Sequence, residues 1–137
     1  MGARSSGREA ALQMLFAREV SGATVAQVIA SYWRELPGDV EGREFADELV
    51  RAVVAATDDI DQSIRAASRH WRLERMARVD RNILRLGVYE LRSAPDVPRA
   101  VIIDEAVELA KRFGSEGSSV FVNGVLDRIA DELHRND

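Results

Sequence analysis

The sequence predicts an all-α protein of about seven helices. Three observations carry this. Every long segment repeats its apolar residues at three- and four-residue spacing, no stretch alternates as a strand would, and the three prolines fall between periodic segments rather than inside them. At 137 residues the chain is one ordinary domain or two small subdomains. Roughly two-thirds of its unfolded surface can be buried at this length, so no metal or disulfide staple is required.

The elements follow in order. Ser6-Gly7-Arg8-Glu9 reads as a capping box, followed by a stripe of Leu12, Leu15, Phe16 and Val20, with Ser21-Gly22 as the stop. Thr24-Val25-Ala26-Gln27 is a second capping box, opening a helix through Val28, Ile29 and Tyr32 toward Trp33. Leu36-Pro37-Gly38-Asp39 is turn chemistry. A third helix from about Glu41 to Ala56 sets Phe45, Leu49, Ala52, Val53 and Ala56 on one side. Thr57-Asp58-Asp59 offers a fresh N-cap and the expected seam between subdomains at about 1–57 and 58–137. Beyond it Ile60, Ile64, Ala67 and Trp71 continue the helical period, and residues 72–75 form a short irregular piece. The next helix runs from about Ala77 to Ser93 and ends before Pro95 and Pro98. Ala100 to Phe113 follows, with Ile102, Ala106, Leu109, Ala110 and Phe113 inward and Gly114 as cap. The last helix begins near Ser118 and buries Val122, Val125, Leu126, Ile129 and Leu133, with Asn123 and Gly124 expected at a close helix packing.

Composition excludes several function classes. There is no Cys, so a disulfide scaffold, a thiolate zinc site and a Cys nucleophile are all ruled out. Two isolated His, at His70 and His134, make no metal cage. Apolar runs fall far short of the roughly 20 residues that span a bilayer. The start, MGARSSGREA, lacks an apolar signal core, so a cytoplasmic protein without membrane attachment is expected. No phosphate-binding glycine loop, dinucleotide fingerprint or H-E-x-x-H motif occurs. The residues point to no catalytic centre, no cofactor and no metal.

Charge is unevenly distributed. Residues 1–34 balance at +2, 35–61 at -7, 62–103 at +5 and 104–137 at -4, giving the net -4. An acidic chain therefore owns a basic central element, and the local field governs polyanion binding. Eighteen of its nineteen basic residues are Arg, the planar bidentate phosphate donor.

In the Ala77–Ser93 helix, Arg78, Arg81, Arg85 and Arg92 fall within about 60° of one another at 100° per residue, with Tyr89 and Asn82 beside them. Met76, Val79, Ile83, Leu86 and Gly87 lie opposite. Such a stripe suits a nucleic-acid backbone plus one stacked base, and it equally suits a solvated face of paired arginines. Glu90 projects into the apolar arc and therefore needs hydrogen-bond donors. Ser118 and Ser119 open the last helix, where capping is expected and an anion site is the further reading. Phe121 lies off the buried stripe, available to stack a base or to pack on a neighbour. Arg4 and Arg8 oppose the dipole of the first helix, a conflict a phosphate would relieve.

Longer stretches carry a resemblance. Residues 79–91 (VDRNILRLGVYEL), Asp96-Val97-Pro98, residues 104–114 (DEAVELAKRFG) and residues 121–127 (FVNGVLD) resemble the bacterial transcription antitermination factor NusB family. Arg8-Glu9-x-Ala11-x-Gln13-x-Leu15-Phe16 fits the family's first helix. The match runs through nearly the whole chain in the right order.

The resemblance implies two small helical subdomains packed together. It implies binding to boxA RNA in nascent ribosomal transcripts, jointly with the small-subunit ribosomal protein that acts as NusE. It further implies assembly with other Nus factors and RNA polymerase to read through terminators, and it leaves a homodimer open. Carried over residue by residue, the RNA face falls on Arg4, Arg8, Phe16, Asp80, Arg81, Arg85, Ser118, Ser119 and Phe121. Asp80 would accept from a base amino group or orient Arg81.

Departures bear on affinity. Ser5, Ser6 and Gly7 stand where relatives often have further basic residues, Phe16 replaces a common Tyr, and Gly117 replaces an acid. Fewer phosphate contacts imply weaker binding by the free protein and a shallower salt slope. Two other classes compete: a protein-interaction subunit whose partner alone touches RNA, and a free-standing relative of the NusB-like region of rRNA cytosine methyltransferases, whose methyl-donor domain is not found before the chain ends at Asp137.

Overall fold

The computed structural model describes residues 2–36, 38 and 40–137. Among them lie seven α-helices and one 3-10 turn, with no strand, as the apolar periodicity predicts. The chain divides into two compact units that meet in sequence between Ala55 and Ala56.

The first unit holds α1 (Ala3–Ser21), α2 (Val25–Glu35) and α3 (Val40–Ala55). Helix α1 starts earlier than its capping-box pattern suggests. Gly2 is the N-cap, and the Ser6 amide donates to the Gly2 carbonyl, so Ser6 lies in the first turn instead of ahead of it. Gly22 ends the helix at φ 72, a left-handed geometry that costs glycine little, and its amide closes on the Arg18 carbonyl. Thr24 and Gln27 form the expected capping box, with both reciprocal bonds made. Of the turn between α2 and α3, Pro37 and Asp39 lie outside the described residues.

Helix α1 packs most extensively on α3. The α1 stripe is Ala10, Ala11, Leu12, Met14 and Leu15; Phe16 and Val20, assigned to it from sequence, are 39% and 58% exposed. The helix turns its small Ala residues inward to approach α3, which rotates Phe16 and Val20 outward. On α3 the buried residues are Gly42, Ala46, Leu49, Val50 and Val53. The approach is closest at Gly7, where a Cβ would lie 2.6 Å from Phe45 Cδ2 and 3.0 Å from the Gly42 carbonyl oxygen. Between α2 and its neighbours, Tyr32 OH donates to Gln13 Oε1 at 2.7 Å and Trp33 Nε1 donates to Asp47 Oδ1 at 2.7 Å.

The second unit holds α4 (Thr57–Ala67), a 3-10 turn (Leu73–Arg75), α5 (Arg78–Ser93), α6 (Arg99–Phe113) and α7 (Ser118–Glu132). Ala56, not Thr57, is the N-cap of α4, and Asp58 and Asp59 instead place negative charge in the first turn. The stripe of Ile60, Ile64 and Ala67 is buried but stops there. The Ser68 hydroxyl donates to the Ile64 carbonyl at 2.6 Å, and the Trp71 amide closes a turn on the Ser68 carbonyl. Trp71 therefore leaves the helical register and stands 61% exposed.

Helix α5 contacts α4, α6 and α7. Covered on three sides, it buries Ile83, Leu84, Leu86, Val88 and Leu91, an arc wider than the single apolar face read from sequence. Glu90 is buried, as its position inside the apolar arc predicts. At Gly87 a Cβ would meet Leu126 Cδ1 of α7 at 2.8 Å, so the close helix approach is there. Gly124, to which that role was assigned, is exposed with nothing within 4 Å of its Cβ position. Leu133, expected in the core, sits one residue past α7 and is 38% exposed, because the chain turns away at His134.

The two kinds of glycine predict opposite effects. Gly7→Ala should lower the free energy of unfolding by about 1–3 kcal/mol, because the Gly42 backbone cannot retreat without parting α1 from α3. Gly124→Ala should raise it by about 0.5–1 kcal/mol through helix propensity alone. Denaturant midpoints of the two variants beside the parent check both signs.

Candidate nucleic-acid interface

The nine residues implicated by the sequence divide between the units. Arg4, Arg8 and Phe16 belong to the first; Asp80, Arg81, Arg85, Ser118, Ser119 and Phe121 belong to the second.

On the first unit, Arg4 and Arg8 lie one turn apart on α1 and share a ring. Their guanidinium carbons sit 5.5 and 5.4 Å from the Phe45 centroid. The negative face of the aromatic offsets positive charge placed against the helix dipole, a relief that a phosphate would also give. Arg8 is only 3% exposed and belongs to the packing of the unit, whereas Arg4 is open to solvent. Phe16, on the same helix, presents its ring outward.

On the second unit the arginine stripe of α5 is not a uniform surface. Arg85 turns inward, where Nε and Nη2 donate to Asp61 Oδ1 and Oδ2 at 2.8 and 3.0 Å, and Nη1 donates to Asn82 Oδ1 at 3.1 Å. The side chains of Arg85 and Asp61 are 14% and 10% exposed. Asn82, read as part of the basic edge, is buried. The reason is geometric: α4 covers the edge of α5 that bears Arg85 and brings Asp61 to meet it. Arg81 donates through Nη1 to the Leu73 carbonyl at 3.3 Å, clamping the 3-10 turn onto α5. Asp80 lies in the first turn of α5, where its charge favours the dipole, and its Oδ1 is shielded with no hydrogen bond. Arg78 and Arg92 remain exposed.

The start of α7 also differs from expectation. Gly117 is the N-cap at φ 88, and neither serine caps the helix. Ser118 is buried at the first helical position, and its Oγ accepts the Ser115 amide at 3.0 Å. That bond closes the tight 114–118 turn, so the hydroxyl faces the loop and not the free amides of the helix end. Ser119 is half-buried. Phe121 is also half-buried, and its ring meets Trp71 edge to face at 6.4 Å between centroids.

Three residues escaped the sequence reading. Asp61 is one, since nothing in the sequence marks it as the partner of Arg85. Phe45 was assigned to the core rather than beneath two arginines. Trp71 was absorbed into a helical stripe, although Arg69-His70-Trp71-Arg72 interleaves cations with an aromatic and could have been found on that ground. Among the described residues no cluster of His, Asp and Glu could hold a metal ion, and no helix is long and apolar enough to cross a membrane.

The profile of the NusB family matches residues 5–131. Transcription antitermination protein NusB of Sorangium cellulosum is 66% identical over 137 residues, covering 100% of this chain and 98% of its own. The protein of the same name from Myxococcus xanthus is 51% identical, covering 98% and 99%. Among solved structures, T. maritima NusB superimposes with a TM-score of 0.87 at 40% identity, over 94% of this chain and 91% of that one. A chain from a crystal structure of antitermination factors NusB and NusE in complex with dsRNA gives 0.87 at 27% identity, over 95% and 97%.

Arg85 and Asp61 should prove interdependent. Either Arg85→Ala or Asp61→Ala leaves a nearly buried charge without its bidentate partner and should lower stability by about 2–4 kcal/mol. The double variant should lose clearly less than the sum of the two. A denaturation double-mutant cycle measures the difference.

Proposed function

The chain belongs to the NusB family, and from that premise we propose that it acts in transcription antitermination as an RNA-binding factor without catalytic chemistry of its own. It would bind the boxA element of nascent ribosomal transcripts together with the small-subunit ribosomal protein that acts as NusE. The pair would join the other Nus factors and RNA polymerase in reading through terminators. The observation that carries this reading is the joint one: full-length similarity to named antitermination proteins, combined with an open cation at Arg4 and ring surface at Phe16 and Phe121, positions the resemblance implicates.

The geometry refines which residues would do what. Arg4, exposed on α1, would contact phosphate, and the rings of Phe16 and Phe121 would stack on unstacked bases. Ser119 is accessible as a hydroxyl donor at the start of α7. Arg8, Arg81, Arg85 and Ser118 would act one step back, holding those groups in place, since each is engaged by the protein itself. Asp80 keeps one shielded, unbonded carboxylate oxygen near the start of α5.

With few open arginines among these positions, the phosphate contribution is small. The free protein should bind modestly, and the ribosomal partner should supply the remaining surface.

Fluorescence anisotropy tests this with a labelled boxA-like single strand, a scrambled strand and a duplex of the same sequence, at two salt concentrations, with and without the ribosomal protein. Preference for the boxA strand that strengthens with the partner is expected. Equal weak binding to all three RNAs in both conditions would instead leave a protein-interaction subunit. Arg4→Ala should flatten the logarithmic salt slope by about 0.7, the value for one phosphate contact on a single strand. Phe121→Ala should weaken binding about 5- to 100-fold while leaving that slope unchanged.

A further inference from the structure

The α4–α5 connection carries a feature that none of the nine implicated positions covers. Residues 68–71 form the common wall of two clefts in the second unit. The larger, about 780 Å³, is lined by Arg65, Arg69, Trp71, Arg72 and Arg75. The smaller, about 260 Å³, lies on the other side, between Trp71 and the start of α7, where Phe121 and Arg128 line it.

Trp71 is the largest exposed ring of the protein at 61%, and it is held rather than loose. Its amide bonds the Ser68 carbonyl, its own carbonyl accepts the Ser68 hydroxyl at 3.3 Å, and Phe121 braces its ring edge-on. Arg128 fixes the same segment from α7 by donating to the Ala67 carbonyl at 2.6 Å. Exposing an indole forgoes about 2 kcal/mol or more of burial energy, and a local structure that then fixes the ring points to a ligand.

The surrounding charge identifies its chemistry. Arg69, Arg72 and Arg75 are exposed along the larger cleft, and Glu74 is its only acidic lining residue, bonded to Arg65 at 3.0 Å. A cationic cleft beside an exposed, braced ring matches a phosphate backbone with one base turned out of the stack, where stacking contributes without regard to base identity. A protein partner would instead call for a broader apolar centre depleted of charge, with the charged groups kept to its rim.

We propose that Trp71 is a base-stacking site for single-stranded RNA, continuing the RNA path from Phe121 into the cleft bounded by Arg69, Arg72 and Arg75. It rests on the RNA-binding reading above and lengthens the bound segment by at least one nucleotide beyond Phe121.

The two tryptophans make the test direct. Trp33 is buried in the first unit and bonded to Asp47, so it reports folding, whereas Trp71 reports contact. The full chain with the ribosomal protein is titrated with labelled boxA-like RNA, reading anisotropy and tryptophan emission together, for the parent, Trp71→Phe and Trp71→Ala. Trp71→Phe keeps a ring beside Phe121 and should hold the parent's unfolding midpoint, whereas Trp71→Ala gives up that edge contact and should lower the midpoint only slightly, leaving the protein folded for the titration.

Quenched emission in the parent, its loss in Trp71→Phe, near-parent affinity for Trp71→Phe and about 5- to 100-fold weaker binding for Trp71→Ala are expected. RNA binding with silent emission and unchanged affinity in Trp71→Ala would overturn the stacking site while leaving the RNA-binding reading intact. An emission change on adding the ribosomal protein alone, with no further change on adding RNA, would overturn it in favour of a protein contact. No anisotropy change for the parent would overturn both.

Discussion

The Arg85–Asp61 pair is the constraint on which the second unit depends. Helix α5 is covered by α4, α6 and α7, so a guanidinium on its α4 side cannot reach water without parting the two helices. Two parallel N–H donors on one carboxylate, with Asn82 taking a third, resolve that conflict. The pair ties α4 to α5, and α4 ends at Ala67. From that end the chain turns through Ser68 and presents Trp71, while Arg81 holds the following 3-10 turn by its Leu73 carbonyl. Surface geometry here is set by an interaction beneath the surface.

Arginine does two jobs in this protein. Some of its guanidiniums close the fold. Arg8 lies on Phe45, Arg85 meets Asp61, and Arg128 bonds the last carbonyl of α4. Arg99 ties α6 to α7 through Asp131 and the Asp127 and Arg135 carbonyls, and Arg135 reaches the carbonyls of Leu91 and Val97. Hydrogen bonding to Asp131 raises the Arg99 pKa, and the same kind of bond to Asp137 raises that of Arg135, so both remain charged at any pH the cell offers. Others, such as Arg4, Arg69, Arg72 and Arg75, are exposed, and charge for a phosphate has to come from exposed groups of this kind. A count of arginines thus overstates the charge available to a nucleic acid, and the sequence alone cannot divide the two sets.

Aromatic residues follow a similar division. Trp33 is buried and hydrogen-bonded, and Phe45 backs two cations. Phe16, Trp71 and Phe121 present ring surface instead. A wheel drawn through Phe16 or Trp71 places it inside, because the wheel assumes that the helix continues and that its neighbours approach from one side. Trp71 fails the first assumption, since α4 stops at Ala67. Phe16 fails the second, since α1 offers α3 its small residues.

By itself the sequence determined the helical class, most helix limits, the Thr24 capping box, the glycine stop at Gly22 and the family, because these rest on local patterns or on residue order along the chain. The resemblance also singled out Arg4, Phe16 and Phe121, which the structure leaves exposed or half-buried. Only the tertiary structure decided that Arg8, Arg85 and Ser118 are engaged inward, that Gly87 rather than Gly124 lies at a close helix approach, and that Trp71 faces out. The physical reason is common to all of them. Exposure of one side chain depends on which second helix covers it, and partners such as Asp61 and Arg85 are separated by 24 residues in sequence, beyond the reach of any helical period.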